Sequence, residues 1–294
     1  MNDRTAEFAS ARPLLFSIAY RMVGSVMDAE DLVQDAFIKW QEAPDADIRA
    51  PQAYLTTIVT RLAIDQLRSA RAKRETYVGP WLPEPLVTEH SPDPSGPVEL
   101  AESLSMAFLV MLERLSPVER AIFVLREAFD FEFPDIARIL AKTETNCRQI
   151  LLRARKRLGK TEARFQADPA AAERLLDRFA AATRAGDLSA MVAVLADDIT
   201  LWADGGGKAK GAARRPVRGR TRVARFLLGA RRRFPPGGVI RRTRINGQPG
   251  FIVYASGRPL VAVIYDIRGD RIHTIYSVSN PEKLQKLPAP AQES

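Results

Sequence analysis

Three groups of charged and polar side chains stand at helical spacing in this chain, and none is suited to breaking a bond. In DAEDLVQDAFIKW, residues 28–40, a helix puts Asp28, Glu30, Asp31, Gln34 and Asp35 on one side. Leu32, Val33, Ala36, Phe37 and Trp40 fall on the other. Such a face is either solvated or a docking surface for a basic partner, and first-turn acids are also favoured by the helix dipole. In YLTTIVTRLAIDQLRSARAKRE, Arg61, Asp65 and Arg68 share a face, and Arg68, Arg71, Lys73 and Arg74 close the helix. Four cations in seven residues exceed what a helix C-terminus requires and suit phosphate. The third group is on the run 145–158, where Thr145 precedes Asn146, Arg148, Gln149, Arg153, Lys156 and Arg157 on the outward side. Asn and Gln pair with adenine edges and Arg with guanine, so this set can read a major groove. For acid–base chemistry the candidates are Asp204, Tyr254, His273 and Tyr276. They lack the spacing of an Asp–His dyad, so no catalytic residue, metal or cofactor is expected.

The elements that must position these groups follow from periodicity. Leu14, Leu15, Ile18, Ala19 and Met22 recur at the helical period until Gly24 breaks the helix. Asp28 is expected to cap a second helix ending at Trp40, and a third runs over 52–74 after the loop APDADIRAP. The stretch 77–97 is Pro-rich and aperiodic, an extended linker in which Trp81, Leu82 and Leu86 are too apolar to stay in water. Ser116-Pro117 with Glu119 starts a helix, and Pro134 opens a short one containing Ile136, Ala137 and Leu140. A turn at 142–144 leads to the helix 145–158, whose inner face is Cys147, Ile150, Leu151, Ala154 and Leu158. This is the order of a helix-turn-helix. Past 166–169 comes a helix over 170–185 ended by Gly186. Strand-like runs follow: ITLWA, FIVYA, PLVAVIYDI and RIHTIYSVS.

The 294 residues carry a net charge of +9, which favours a polyanionic partner. The single cysteine, Cys147, excludes an intramolecular disulfide and suits a reducing cytoplasm. The start, MNDRTAEFASARPLLF, lacks the pattern of a signal peptide, and no apolar run reaches membrane-spanning length. Between Asp204 and Asp266 there is no acid, while twelve arginines from Arg214 to Arg244 accumulate.

The run from Phe16 to Arg74 resembles the second conserved region of extracytoplasmic-function sigma factors. That resemblance implies that Asp28, Glu30, Asp31, Gln34 and Asp35 face the clamp helices of the largest RNA polymerase subunit. It also implies that Arg61, Arg68, Arg71, Lys73, Arg74 and the loop 45–52 lie at the −10 promoter element. The helix-turn-helix resembles the fourth region of the same family, which implies that Thr145, Asn146, Arg148, Gln149 and Arg153 meet the −35 element, beside the polymerase flap. Residues 173–284 resemble a SnoaL-like, NTF2-like α+β cone around a pocket, a fold of small enzymes and of ligand binders. An enzyme or ligand sensor fused to a DNA-binding module is therefore the alternative reading.

WLPEP, DGGGK and NPEKL together resemble the signatures of the SigJ-type sigma factors. In that group the extra domain regulates in cis, so no separate anti-sigma factor is required. The residues this singles out are Trp81, Leu82, Pro83, Asp204, Gly205, Gly206, Gly207, Lys208, Asn280 and Pro281. The expected organisation is two all-α sigma domains, 1–76 and 98–160, joined by the linker 77–97. A cone domain over 170–286 and a flexible tail, 287–294, follow. The third domain is expected between the two helical ones, with Trp81 and Leu82 docked near DGGGK and a small ligand a possible occupant of its pocket.

Overall fold

The computed structural model describes residues 4–44, 50–88, 104–159 and 168–290, without the side chains of 70–75 and 169. The chain divides into two compact units: 4–76 with 104 and 108–159, and 77–88 with 105–107 and 168–290.

In the first unit, α1 (Arg4–Val23) ends at Gly24, which takes φ 72°. The next helix, α2 (Val26–Glu42), starts two residues earlier than expected. Its cap is Ser25, whose Oγ accepts from the Asp28 amide at 3.1 Å, so Asp28 lies inside the first turn and is not the cap. Helix α3 (Pro51–Glu75) completes a core with Leu15, Ile18, Leu32, Val33, Leu55 and Val59. Trp40 is buried in it and donates its indole N–H to the Arg4 carbonyl at 3.0 Å.

The helices that follow are α4 (Met106–Leu112), whose first two residues count with the second unit, α5 (Pro117–Phe123), α6 (Phe133–Leu140) and α7 (Glu144–Leu158). Ser116 and Glu119 close a reciprocal capping box on α5, and the helix runs on into a π turn, Val124–Ala128. A left-handed Ala141 (φ 51°) ends α6, where a glycine is more usual.

The two helical domains pack directly on each other, contrary to the expectation that the third domain separates them. Arg120, with a side chain 3% exposed, makes the joint. It donates to the carbonyls of Met22 (2.6 Å) and Leu112 (3.1 Å) and pairs with Glu113 (2.8 Å). Arg21 stacks 5.0 Å from the Phe129 ring centroid; burial lowers its guanidinium pKa to about 10.

The second unit is built on a six-stranded sheet in the order β2-β1-β6-β5-β4-β3. Its strands are β1 (Leu195–Asp204), β2 (Val217–Arg218), β3 (Val239–Ile245), β4 (Gln248–Ala255), β5 (Arg258–Arg268) and β6 (Arg271–Val278). Only β1 and β6 run parallel. Strand alternation gives the sheet two different faces. Leu201, Phe251, Val263, Tyr265 and Ile275 face α8 (Pro169–Ala185), α9 (Leu188–Ala193) and α10 (Arg220–Arg231). Ile252, Tyr254, Ile264 and Tyr276 take the opposite face, where Tyr254 donates its hydroxyl to the Pro288 carbonyl at 2.9 Å. Leu287 is buried as well, so packing runs past 286 and the first residues of the expected tail are fixed. Residues 77–88 of the expected linker are likewise part of this unit, and 89–97 lie outside the described residues. Val87 bridges Ile245 on the edge strand β3, and Asn246 exchanges hydrogen bonds with the backbone of Leu86 (2.7 and 3.1 Å).

Candidate functional site

On α2, Asp31, Gln34 and Asp35 are exposed, and Asp28 and Glu30 are half-buried. Glu30 pairs with Arg12 at 2.7 Å. Two apolar side chains share this face, Met27 and Ile38, with 39% and 47% exposure. Their spacing of four and three residues from Asp31 and Asp35 places them there, a signal hidden by the acids around them. Acids flanked by exposed aliphatic groups form a surface that can combine steering with desolvation on docking.

The cations of α3 divide. Arg61 donates Nε–H to the Ile139 carbonyl at 2.9 Å, so in this packing it is engaged by α6. Arg68 is exposed and pairs with Asp65 at 3.1 Å. Arg71, Lys73 and Arg74 lie on the helix, but their side chains are outside the described residues, as is most of the loop before it, 45–49.

Helix α7 matches its expected two faces. Cys147, Ile150, Leu151, Ala154 and Leu158 are buried, and burial raises the Cys147 thiol pKa. Its N-cap is Thr143, which accepts from the Asn146 amide at 3.2 Å. Thr145, Arg148, Gln149 and Arg153 are exposed, and Asn146 half-buried. Arg148 is held in place, 4.1 Å over the Phe133 ring and 3.2 Å from Glu144. Arg155 and Arg157 are turned back on Glu127 (2.6 Å) and Glu119 (2.7 Å), while Arg153 and Lys156 have no ion pair among the described residues. Leu152 stands between these polar groups with 69% exposure, a large apolar side chain that falls outside the buried stripe of the helix.

The third cluster brings WLPEP, DGGGK and NPEKL together in the second unit. Asp204 is fully buried. Its Oδ1 accepts from the Tyr77 hydroxyl (2.5 Å) and the Gly206 amide (3.0 Å), and its Oδ2 from the Leu82 amide (2.8 Å) and Lys283 Nζ (2.7 Å). Lys283 also donates to the Leu82 carbonyl and lies 4.1 Å from the Trp81 ring centroid. Leu82, Pro83 and Pro85 are buried and Trp81 half-buried. Asn280 caps the short turn Pro281–Lys283 and donates to Tyr77 Oη at 2.9 Å. A Cβ at Gly206 (φ 57°) would lie 2.4 Å from Asn280 Nδ2, so this close approach requires glycine. Lys208 pairs with Glu282 at the surface. Burial, then the hydrogen bond to Asp204, raises the Tyr77 pKa. Tyr77 and Lys283 complete the cluster, and neither was singled out from sequence.

None of the four acid–base candidates lines the large cavity of this unit. Asp204 is in the ion pair, Tyr254 and Tyr276 face the other side of the sheet, and His273 stands 3.9 Å from the exposed Asp198.

Comparison with known proteins places this architecture. Residues 8–73 match the model of sigma-70 region 2, and 105–158 that of sigma-70 region 4. The chain belongs to the extracytoplasmic-function RNA polymerase sigma factors, which are transcription initiation factors and not enzymes. It is 40% identical to the ECF RNA polymerase sigma factor SigJ of Mycobacterium tuberculosis (strain H37Rv), over 96% of this chain and 94% of that protein. It is 31% identical to the probable ECF sigma factor SigI of the same species, over 97% and 96%. The crystal structure of M. tuberculosis SigJ superposes with a TM-score of 0.75 at 37% identity, covering 95% of this chain and 97% of that one. The appended domain is thus a shared part of the SigJ architecture, with its SnoaL-like fold. Among the described residues no helix is long and apolar enough to cross a membrane.

Proposed function

We propose that this chain directs RNA polymerase core to promoter DNA in the cytoplasm and is controlled in cis by its third domain, without a separate anti-sigma factor. The face of α2 carrying Asp31, Gln34 and Asp35 docks on the clamp helices, with Met27 and Ile38 as its apolar margin. The region 4 domain meets the flap. Arg68, Arg71, Lys73 and Arg74 neutralise phosphates near the −10 element; Arg61 joins them once it leaves the Ile139 carbonyl. At the −35 element, Thr145, Asn146, Arg148, Gln149 and Arg153 contact DNA. Leu152 supplies an apolar surface suited to a thymine methyl.

One observation carries the control: the segment after region 2 is pinned into the third domain by the buried Asp204–Lys283 pair and Tyr77. The linker that must span two promoter elements is therefore shortened and held by the domain that follows it. Docking within one chain acts at high effective concentration, so weak contacts suffice to bias the arrangement. The test is in vitro transcription with core polymerase, comparing the full chain, Lys283→Met and a chain ending at Lys160. Promoter output changes in both variants, whereas retained binding to core shows that region 2 is intact. Equal output from all three would remove the third domain from control.

A further inference from the structure

Beneath α8 and α10 the helix-facing side of the sheet encloses a cavity of about 1100 Å³. It exceeds the volume of most small-ligand pockets. Its walls are mostly apolar and include the rings of Phe179, Phe226, Phe251 and Tyr265. Tyr265 packs edge-on to Phe179 (5.9 Å between centroids) and tilted to Phe251 (6.1 Å). It is 6% exposed, and its hydroxyl has no hydrogen-bond partner among the described residues. Burial pushes its pKa up, so the group is a neutral donor waiting for an acceptor.

Six cations line the same cavity against one carboxylate, Glu173. Two of the six are engaged, Arg242 with Asp177 (2.6 Å) and Arg244 with the Gly247 carbonyl. Arg184, Lys210, Arg231 and Arg233 have no carboxylate partner among the described residues. Helix dipoles account for Arg184 and Arg231, in the last turns of α8 and α10. They do not account for Lys210 and Arg233, which stand outside any helix. Arg233 lies against the backbone of Gly211: a Cβ there would sit 2.1 Å from its Nη1, so glycine makes room for the guanidinium. An apolar chamber with several cations free of carboxylate partners and a phenol in its wall suits an apolar molecule with an acidic head.

We propose that this cavity binds an apolar organic acid whose carboxylate is held by Arg231, Arg233 and Lys210 and whose body, carrying a carbonyl or hydroxyl oxygen, lies against Phe179, Phe251 and the Tyr265 hydroxyl. A fatty or aromatic acid fits this description, while a cation or a sugar does not. The inference is independent of control in cis, because binding is read on the cavity alone.

The test uses the full chain and fluorescence titration. Anilinonaphthalene sulfonate should bind, and its uncharged analogue N-phenyl naphthylamine should bind more weakly. Dodecanoate should displace the probe, whereas dodecyltrimethylammonium should not. The exposed double variant Arg231→Gln/Arg233→Gln should weaken the sulfonate about tenfold or more, the loss expected for charge-assisted contacts, and leave the uncharged dye unchanged. Tyr265→Phe should lower affinity for at least one of a panel of ketododecanoates and leave dodecanoate unaltered. Displacement by the cation as well as the acid overturns the acidic head. Failure of every anion to bind, with a folded circular dichroism spectrum, overturns the site. A Tyr265→Phe variant that treats all acids alike removes the floor contact.

Discussion

Arg120 in the first unit and Lys283 in the second are buried cations that join segments far apart in the chain, but the two are compensated differently. Arg120 is satisfied mainly by dipoles, the carbonyls of Met22 and Leu112, with Glu113 at the boundary (22% exposed). Lys283 is satisfied by a formal charge, since Asp204 has no exposure at all. The contrast teaches which partner matters. A forked guanidinium can hold two carbonyls and an acid at once, so the joint of the first unit depends on the shape of arginine. In the second unit the acid is the hub. Asp204 gathers Tyr77, Leu82, Gly206 and Lys283, and any one donor is replaceable while the acceptor is not.

The largest effect should come from Asp204→Ala. It strands the buried Lys283 ammonium and three further donors, with a cost of about 3–5 kcal/mol. Urea unfolding followed by Trp fluorescence reads it, and a loss below about 1 kcal/mol would mean that the pair is not buried in solution. Arg120→Met should follow, at about 2–4 kcal/mol, because it leaves two carbonyls unsatisfied between the helical domains. Hydrogen exchange should speed up at the joint and leave the third domain unaffected; Arg120→Lys should not restore protection.

Lys283→Met should cost less, about 1–3 kcal/mol, since Asp204 keeps the Leu82 and Gly206 amides and the Tyr77 hydroxyl. If it costs as much as Asp204→Ala, the asymmetry is wrong. The smallest effect concerns pH. Tyr77 has its pKa raised in the folded chain, so its contribution is full below its unfolded value near 10 and is lost as pH rises through the folded one. Stability of the second unit should therefore fall in alkali, and Tyr77→Phe should flatten part of that slope. Tyr265, also raised, keeps the rest. An unchanged slope in Tyr77→Phe would show that the phenol is neither buried nor held by Asp204.

Much of both units was legible in the order of residues alone. The two faces of α7 follow from a 3.6-residue period, and the capping box at Ser116 and Glu119 from a spacing of three. The left-handed ends at Gly24 and Gly186 follow from the residue type. These are local properties, set by side-chain direction and backbone sterics within one or two turns. The cap of α2 was misread because Ser25 and Asp28 are both good caps, and only the backbone at Ser25 is extended. The quoted motifs also marked where the third cluster lies.

Its chemistry was not legible. Tyr77 and Asp204 are 127 residues apart, and Lys283 reaches Asp204 across 79. Neither interval carries a period, because the sheet register and the path of the linker over its outer face decide which polar groups share one desolvated site. The same holds for Arg120 and for the cavity. A run of arginines announces charge by itself. Which of them turn toward Asp177 and which are left around an aromatic chamber is decided by the strand pairing and by the helices that close over it.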